Sequence, residues 1–232
     1  MHQTNHRPIF TFLKFGRKQD LQEFRNEGLL YMRPLAEFAE LEESETGRGD
    51  RFEGTTNLIQ PGKLIFDTGP LGLGQIIAQP SDLAGPVRII LNRTKSCDVY
   101  CMVAPPMRGD EEMVELVSSE VIKFGEAFVM VTNVTEFIRR VVLATYDKKN
   151  AVSGLEYGLV DYYNSDEDSG EVGRFRKRSK YAYQNEFRIV VKPGSREPRR
   201  LLIGSLLDIT SDIFPSSAAL QPCRFALNQT AS

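Results

Sequence analysis

The stretch from Lys180 to Val191, Lys-Tyr-Ala-Tyr-Gln-Asn-Glu-Phe-Arg-Ile-Val-Val, constrains this chain more than any other. Phe187, Ile189, Val190 and Val191 give its second half the aromatic and β-branched composition of a buried strand. Its first half is basic and polar, so Glu186 stands where a loop enters the core. A carboxylate there is held rigidly with its oxygens toward a cleft, and Gln184, two residues earlier on an extended segment, points to the same side. The same residues also describe an edge strand whose Glu186 pairs with Arg188 or with nearby Arg and Lys side chains. From the residues alone both readings are open.

A chain of 232 residues can bury one sizeable core. At 41% hydrophobic and 26% charged it has the composition of a globular protein, and a net charge of −2 gives no global attraction to nucleic acid or anionic lipid. The start, residues 1–8, lacks the apolar run of a signal peptide, and no apolar stretch approaches the roughly 18–20 residues of a membrane span. The expectation is a cytoplasmic protein without a membrane partner. Cys97, Cys101 and Cys223 suit a reducing compartment, and Cys97 and Cys101, four apart on an expected strand, read as packed thiols. With His2 and His6 as the sole histidines, no metal constellation is expected.

Periodicity then orders the elements. Ile9 to Phe15 alternates as a first strand, Lys18 to Glu27 is an amphipathic helix with Leu21 and Phe24 inward, and Gly28 closes it. Leu29 to Met32 is a second strand and Pro34 to Glu43 a second helix. Further strands are expected at Val87 to Leu91, Asp98 to Val103, Phe128 to Thr132, Gly158 to Tyr163 and Leu201 to Leu206. Asn133 or Thr135 caps a helix that buries Phe137, Ile138, Val141 and Val142. Residues 69–74, Gly-Pro-Leu-Gly-Leu-Gly, and the two Arg-Gly-Asp tripeptides at 48–50 and 108–110 read as turns. The whole predicts a tail over 1–8, one α+β domain over 9–214, and a frayed polar tail over 215–232.

Two charge runs stand out. Asp166, Glu167, Asp168 and Glu171 precede Arg174, Arg176, Lys177, Arg178 and Lys180. They either face each other across a long hairpin or leave the basic run as a phosphate-binding strip. Phe175, Tyr181 and Tyr183 interleave with that run and could stack on bases.

Leu29-Leu30-Tyr31-Met32, Phe38, Asp50-Arg51-Phe52-Glu53-Gly54 and the closing Tyr181-x-Tyr-Gln-Asn-Glu-Phe-Arg-Ile-Val resemble an uncharacterised bacterial and phage family. That domain-of-unknown-function family has a Tyr-Glu-x-Glu-x-Arg closing strand, and Gln184 here replaces its first Glu. More remotely, the order of elements is similar to the mono-ADP-ribosyltransferase fold, with Gln184-Asn185-Glu186 matching its Gln/Glu-x-Glu element. That resemblance implies a bent, mixed or antiparallel β core with peripheral helices. It also implies NAD as substrate and either transfer of ADP-ribose to a macromolecular acceptor or hydrolysis of NAD, in a toxin or defence setting.

On that resemblance Glu186 and Gln184 are the catalytic pair, and Lys14, Arg17 and Tyr31 bind the cofactor. Lys14 or Arg17 stands where the fold carries Arg or His. Cleavage of the nicotinamide–ribose bond passes through an oxocarbenium-like state, which a fixed carboxylate stabilises. The alternative is a non-catalytic nucleic-acid or nucleotide-binding module that uses Arg174, Arg176, Lys177, Arg178 and Lys180, with Glu186 holding that segment in place.

Overall fold

In the central strands, side chains alternate between two differently covered faces. A computed structural model describes residues 8–40, 49–72, 74–77, 79–106 and 113–224. It places β1 at Phe12–Gly16, α1 at Lys18–Glu27, β2 at Leu29–Pro34, α2 at Leu35–Glu40, β3 at Asp98–Val103 and β4 at Ala127–Val131. The helix α3 follows at Val134–Tyr146, then β5 at Gly154–Leu159, β6 at Glu186–Lys192, β7 at Arg199–Leu202 and β8 at Phe214–Pro215. The eight strands form one sheet with the path β5-β6-β3-β1-β4-β8; β2 joins β3 and carries β7. Every pairing in it is antiparallel. Strands dominate and helices are few, so the architecture is α+β.

The second half of the Lys180 to Val191 stretch lies inside this sheet. β6 pairs with β5 on one side and with β3 on the other, so it is a central strand and not an edge. Phe187, Ile189 and Val191 point to the face covered by α1 and α3, in a core with Phe12, Phe24, Phe137 and Met32. The rings of Phe12 and Phe187 lie 4.4 Å apart, and those of Phe12 and Phe137 5.9 Å apart. Each such buried side chain contributes roughly 1.5–3 kcal/mol relative to exposure. Glu186, Arg188 and Val190 alternate to the opposite face, where Val190 packs with Leu35, Cys97 and Val99. There residues 49–56 and 172–184 bring charged side chains, Glu53 and Lys177, onto Glu186 and Arg188.

Local chemistry sets the element ends. Gly28 takes a left-handed conformation, φ 67°, and its N–H donates to Phe24 O at 3.0 Å, ending α1 before β2 begins. Asn133 caps α3 by accepting the Glu136 N–H at 3.0 Å, and Phe137 and Val141 are buried as the periodicity requires. Pro34 ends β2 instead of opening a helix: α2 is the shorter Leu35–Glu40, and 41–43 lie outside the described residues.

Other elements differ from expectation. The strand expected over Gly158 to Tyr163 is divided at Val160 into β5 and a short strand Asp161–Tyr163. That short strand pairs in parallel with Arg176–Arg178, so the charge runs are not two arms of a hairpin. Beyond Pro215 a 3-10 helix, Ser216–Leu220, buries Ala219 beside Val121 and Phe128, and Cys223–Arg224 pairs with Met113–Val114. Small residues there let the chain lie close against the sheet, which polar composition had suggested as a tail. Residues 69–71 form a 3-10 turn closed by left-handed Gly72. Of the two Arg-Gly-Asp tripeptides, Gly49 and Asp50 are described and 108–110 lie outside the described residues.

The strand β3 is the axis of the site. One edge pairs with β6 along its whole length. On the other edge Leu13 of β1 sits opposite Val103 at one end, while Arg33 and Pro34 of β2 sit opposite Val99 and Asp98 at the other. The sheet forks between them, and residues 100–102 face the gap.

Candidate functional site

The fork opens into a cleft of about 900 Å³, lined by β1, α1, β2 and β3 and floored by Lys177, Gln184, Glu186 and Arg188. A carbonyl left without a strand partner needs another donor. Lys14 supplies it: its Nζ donates to Cys101 O at 2.9 Å and sits 3.9 Å from the centroid of the Tyr100 ring. An ammonium is thereby fixed in the cleft by the break in the sheet.

All five residues singled out for catalysis and cofactor binding, Lys14, Arg17, Tyr31, Gln184 and Glu186, line this one cleft. Tyr31 is 47% exposed on β2, where a flat ring is available to a ligand. Arg17 lies at the mouth, bonded to Asp20 at 2.9 Å. Arg33 and Arg200 line the same mouth and pair with Glu37 at 3.7 Å and Glu23 at 3.4 Å. Such exposed pairs are weak, so an anionic ligand can compete for these cations.

The floor is a buried charge cluster. Arg188 donates from Nε to Glu186 Oε1 at 2.6 Å and from Nη1 to Glu53 Oε2 at 3.0 Å, with its Nη2 also on Glu53. Lys177 Nζ donates to Gln184 Oε1 at 2.8 Å and to Glu186 Oε2 at 3.1 Å. Two carboxylates thus meet two cations, which is the arrangement that makes buried charge tolerable. Burial by itself would raise the Glu186 pKa, but Arg188 and Lys177 outweigh it and hold the carboxyl well below the usual carboxylate range. Glu186 is therefore ionised at neutral pH. Burial pushes the Cys101 thiol, which also faces the cleft, far above its ordinary value, and the Glu186 charge pushes it further. That thiol stays protonated and is a poor nucleophile.

Gln184 and Glu186 do converge, but not along an extended segment. Residues Ser179–Gln184 form a 3-10 helix and Asn185 is left-handed at φ 43°. Lys177, gripping both side chains, brings them together.

The basic run is taken apart by the fold. Lys177 and Arg178 are buried, Lys177 in the floor of the cleft and Arg178 on Asp50 at 2.7 Å. Arg174 donates to Thr94 O at 3.1 Å and lies 3.5 Å from Glu156; Arg176 donates to Glu171 O at 2.6 Å. Lys180 lies 5.0 Å from the Tyr181 ring centroid. The five cations do not share one surface strip.

Sequence reasoning gave no role to Glu53, Asp50, Arg33 or Arg200. The first two lay in plain view within Asp50-Arg51-Phe52-Glu53-Gly54, where two acids flank an aromatic in an otherwise polar loop. Among the described residues no group of three or more His, Cys, Asp or Glu side chains is placed to hold a metal. No helix among them is long and apolar enough to cross a membrane. Comparison with family models, curated proteins and solved structures finds no match for this chain.

Proposed function

We propose that the cleft binds a nucleotide of the NAD class and that Glu186 directs cleavage of its nicotinamide–ribose bond. One observation carries this reading. Lys14, Arg17, Tyr31, Gln184 and Glu186, drawn from β1, the start of α1, β2 and the entry to β6, converge on a single cleft. Its volume of about 900 Å³ is ample for a dinucleotide, and its mouth carries Arg17, Arg33 and Arg200 for phosphates. Tyr31 offers a stacking face.

In the proposed reaction the bond from the ribose C1′ to the nicotinamide nitrogen breaks, and its electron pair leaves with nicotinamide. A nucleophile, water or a hydroxyl or side chain of a macromolecular acceptor, forms the new bond to C1′ and loses its proton to solvent. Glu186, already ionised, stabilises the positive charge that develops on the ribose. Gln184 orients the nucleophile.

A second reading follows from the engagement of both Glu186 oxygens by Arg188 and Lys177. In that reading the cleft binds a nucleotide without chemistry, and Glu186 neutralises its floor. Nicotinamide release from NAD, measured for the wild type and for Glu186→Gln with bacterial lysate as acceptor source, separates the two. Release by the wild type that falls about 10²-fold or more in the variant supports the transferase reading. Calorimetric binding of NAD without release supports the binding reading; neither release nor binding refutes both.

A further inference from the structure

A second pocket, of about 540 Å³, lies on the other side of the segment that floors the cleft. Arg51, Arg88, Arg178 and Lys180 line it, with Asp166 and Phe52. The chain passes from one site to the other within a few residues: Lys177 faces the cleft, Arg178 and Lys180 face the pocket, and Gln184 and Glu186 face the cleft again.

The three guanidiniums gather on one ring. Those of Arg178, Arg88 and Arg51 lie 4.6, 4.9 and 5.5 Å from the Phe52 centroid. Arg178 has a structural reason to be there, since it is buried and bonded to Asp50, which also accepts the Phe52 N–H at 3.0 Å. Arg51 and Arg88 are exposed, and among the described residues neither meets a carboxylate. Like charges around one ring repel each other, and the ring together with Asp50, which pairs with Arg178, offsets only part of that cost. An anion among them removes the repulsion and gains charge-assisted hydrogen bonds from several planar donors, the geometry that favours phosphate.

The geometry points to a phosphate-binding site in this pocket, separate from the cleft. Phe52 is covered by the guanidiniums and only 8% exposed, so it offers no open face for a base. Recognition therefore goes through the phosphate group itself, whether free, on a nucleotide, or on a nucleic-acid strand.

The test is a titration with inorganic phosphate and with one short DNA oligonucleotide in 5′-phosphorylated and 5′-hydroxyl forms. The proteins compared are the wild type, Arg51→Gln, Arg51→Gln/Arg88→Gln and Lys14→Gln/Arg17→Gln. Phosphate-bearing probes still bind the Lys14/Arg17 variant, and bind about tenfold more weakly for each pocket guanidinium removed. Both pocket substitutions are at exposed positions, and Arg51→Gln removes no side-chain hydrogen bond to any of the described residues. Preference for the 5′-phosphorylated strand assigns the site to a strand end, equal binding of both strands to the backbone, and binding of inorganic phosphate alone to a small ligand; each supports the proposal. It is overturned if no probe binds, if the pocket variants bind like the wild type, or if affinity is lost in the Lys14/Arg17 variant instead.

Discussion

Arg188 and Glu53 form a paired, buried contact between two parts of the chain 135 residues apart, with Nη1 donating to Oε2 at 3.0 Å. The pair clamps the loop at 49–54 onto the central strand β6 and leaves Arg188 Nε free to bond Glu186 at 2.6 Å. One guanidinium thus bridges two carboxylates from separate segments, and the docked loop supplies one of the two carboxylates that compensate Arg188 in the floor of the cleft.

Arg188→Met removes the cation shared by Glu53 and Glu186 and leaves buried carboxylates undercompensated. The expected loss is about 3–5 kcal/mol in urea unfolding. The double variant Arg188→Met/Glu53→Gln should lose less than the sum of the single changes, because the second substitution removes one of the stranded charges. Additive losses would mean that the pair is not a coupled unit.

Acid should weaken the fold through Glu186. Its folded-state pKa is depressed, because Arg188 and Lys177 overcome the opposing effect of burial. A depressed carboxyl stabilises the fold fully above its unfolded-state pKa, and that contribution is lost as pH falls toward the folded-state value. The stability gap between the wild type and Glu186→Gln is therefore constant at neutral pH and narrows below about pH 5. Urea midpoints measured from pH 7 down to pH 3 check this; parallel profiles for the two proteins would contradict it.

Gly28→Ala should be costly and Gly72→Ala mild, although both glycines are left-handed. At Gly28, φ 67°, an added Cβ would stand 2.0 Å from the carbonyl oxygen of Gly204; at Gly72, φ 70°, it would meet nothing within 4 Å among the described residues. Gly72→Ala carries only the conformational cost, about 1–2 kcal/mol, whereas Gly28→Ala adds a backbone clash between α1 and the chain after β7. Thermal denaturation of the two variants gives the comparison, and equal shifts would refute it.

Tyr31→Ala should weaken nucleotide binding by about 1–3 kcal/mol through lost stacking while leaving unfolding nearly unchanged, since the ring is half exposed. Tyr31→Phe keeps the stacking face and should bind like the wild type. Calorimetric titration with NAD measures both, and unaltered affinity in Tyr31→Ala would remove Tyr31 from the site.

Local patterns were legible in the sequence because each depends on near neighbours. The helical spacing of Leu21 and Phe24, with Gly28 behind them, defined α1 from Lys18 to Glu27, and the short apolar run Val99-Tyr100-Cys101-Met102-Val103 defined β3 from Asp98 to Val103. The apolar and aromatic content of 187–191 likewise marked β6. Glu186 and Arg188 share a face by the period of two, so their pairing could be read as one of two options before any fold was known.

Tertiary structure decided which cation answered which carboxylate. Charge attraction has no sequence range, so nothing local to Asp50 or Glu53 names Arg178 or Arg188 as a partner, 128 and 135 residues away. Burial of Lys177 and Arg178 divided a basic run that composition presents as one strip. The cleft has the same origin. It exists because β1 and β2 leave β3 at different ends, a matter of strand register that no single strand encodes, and Lys14 fills the hydrogen-bonding gap which that divergence opens at Cys101.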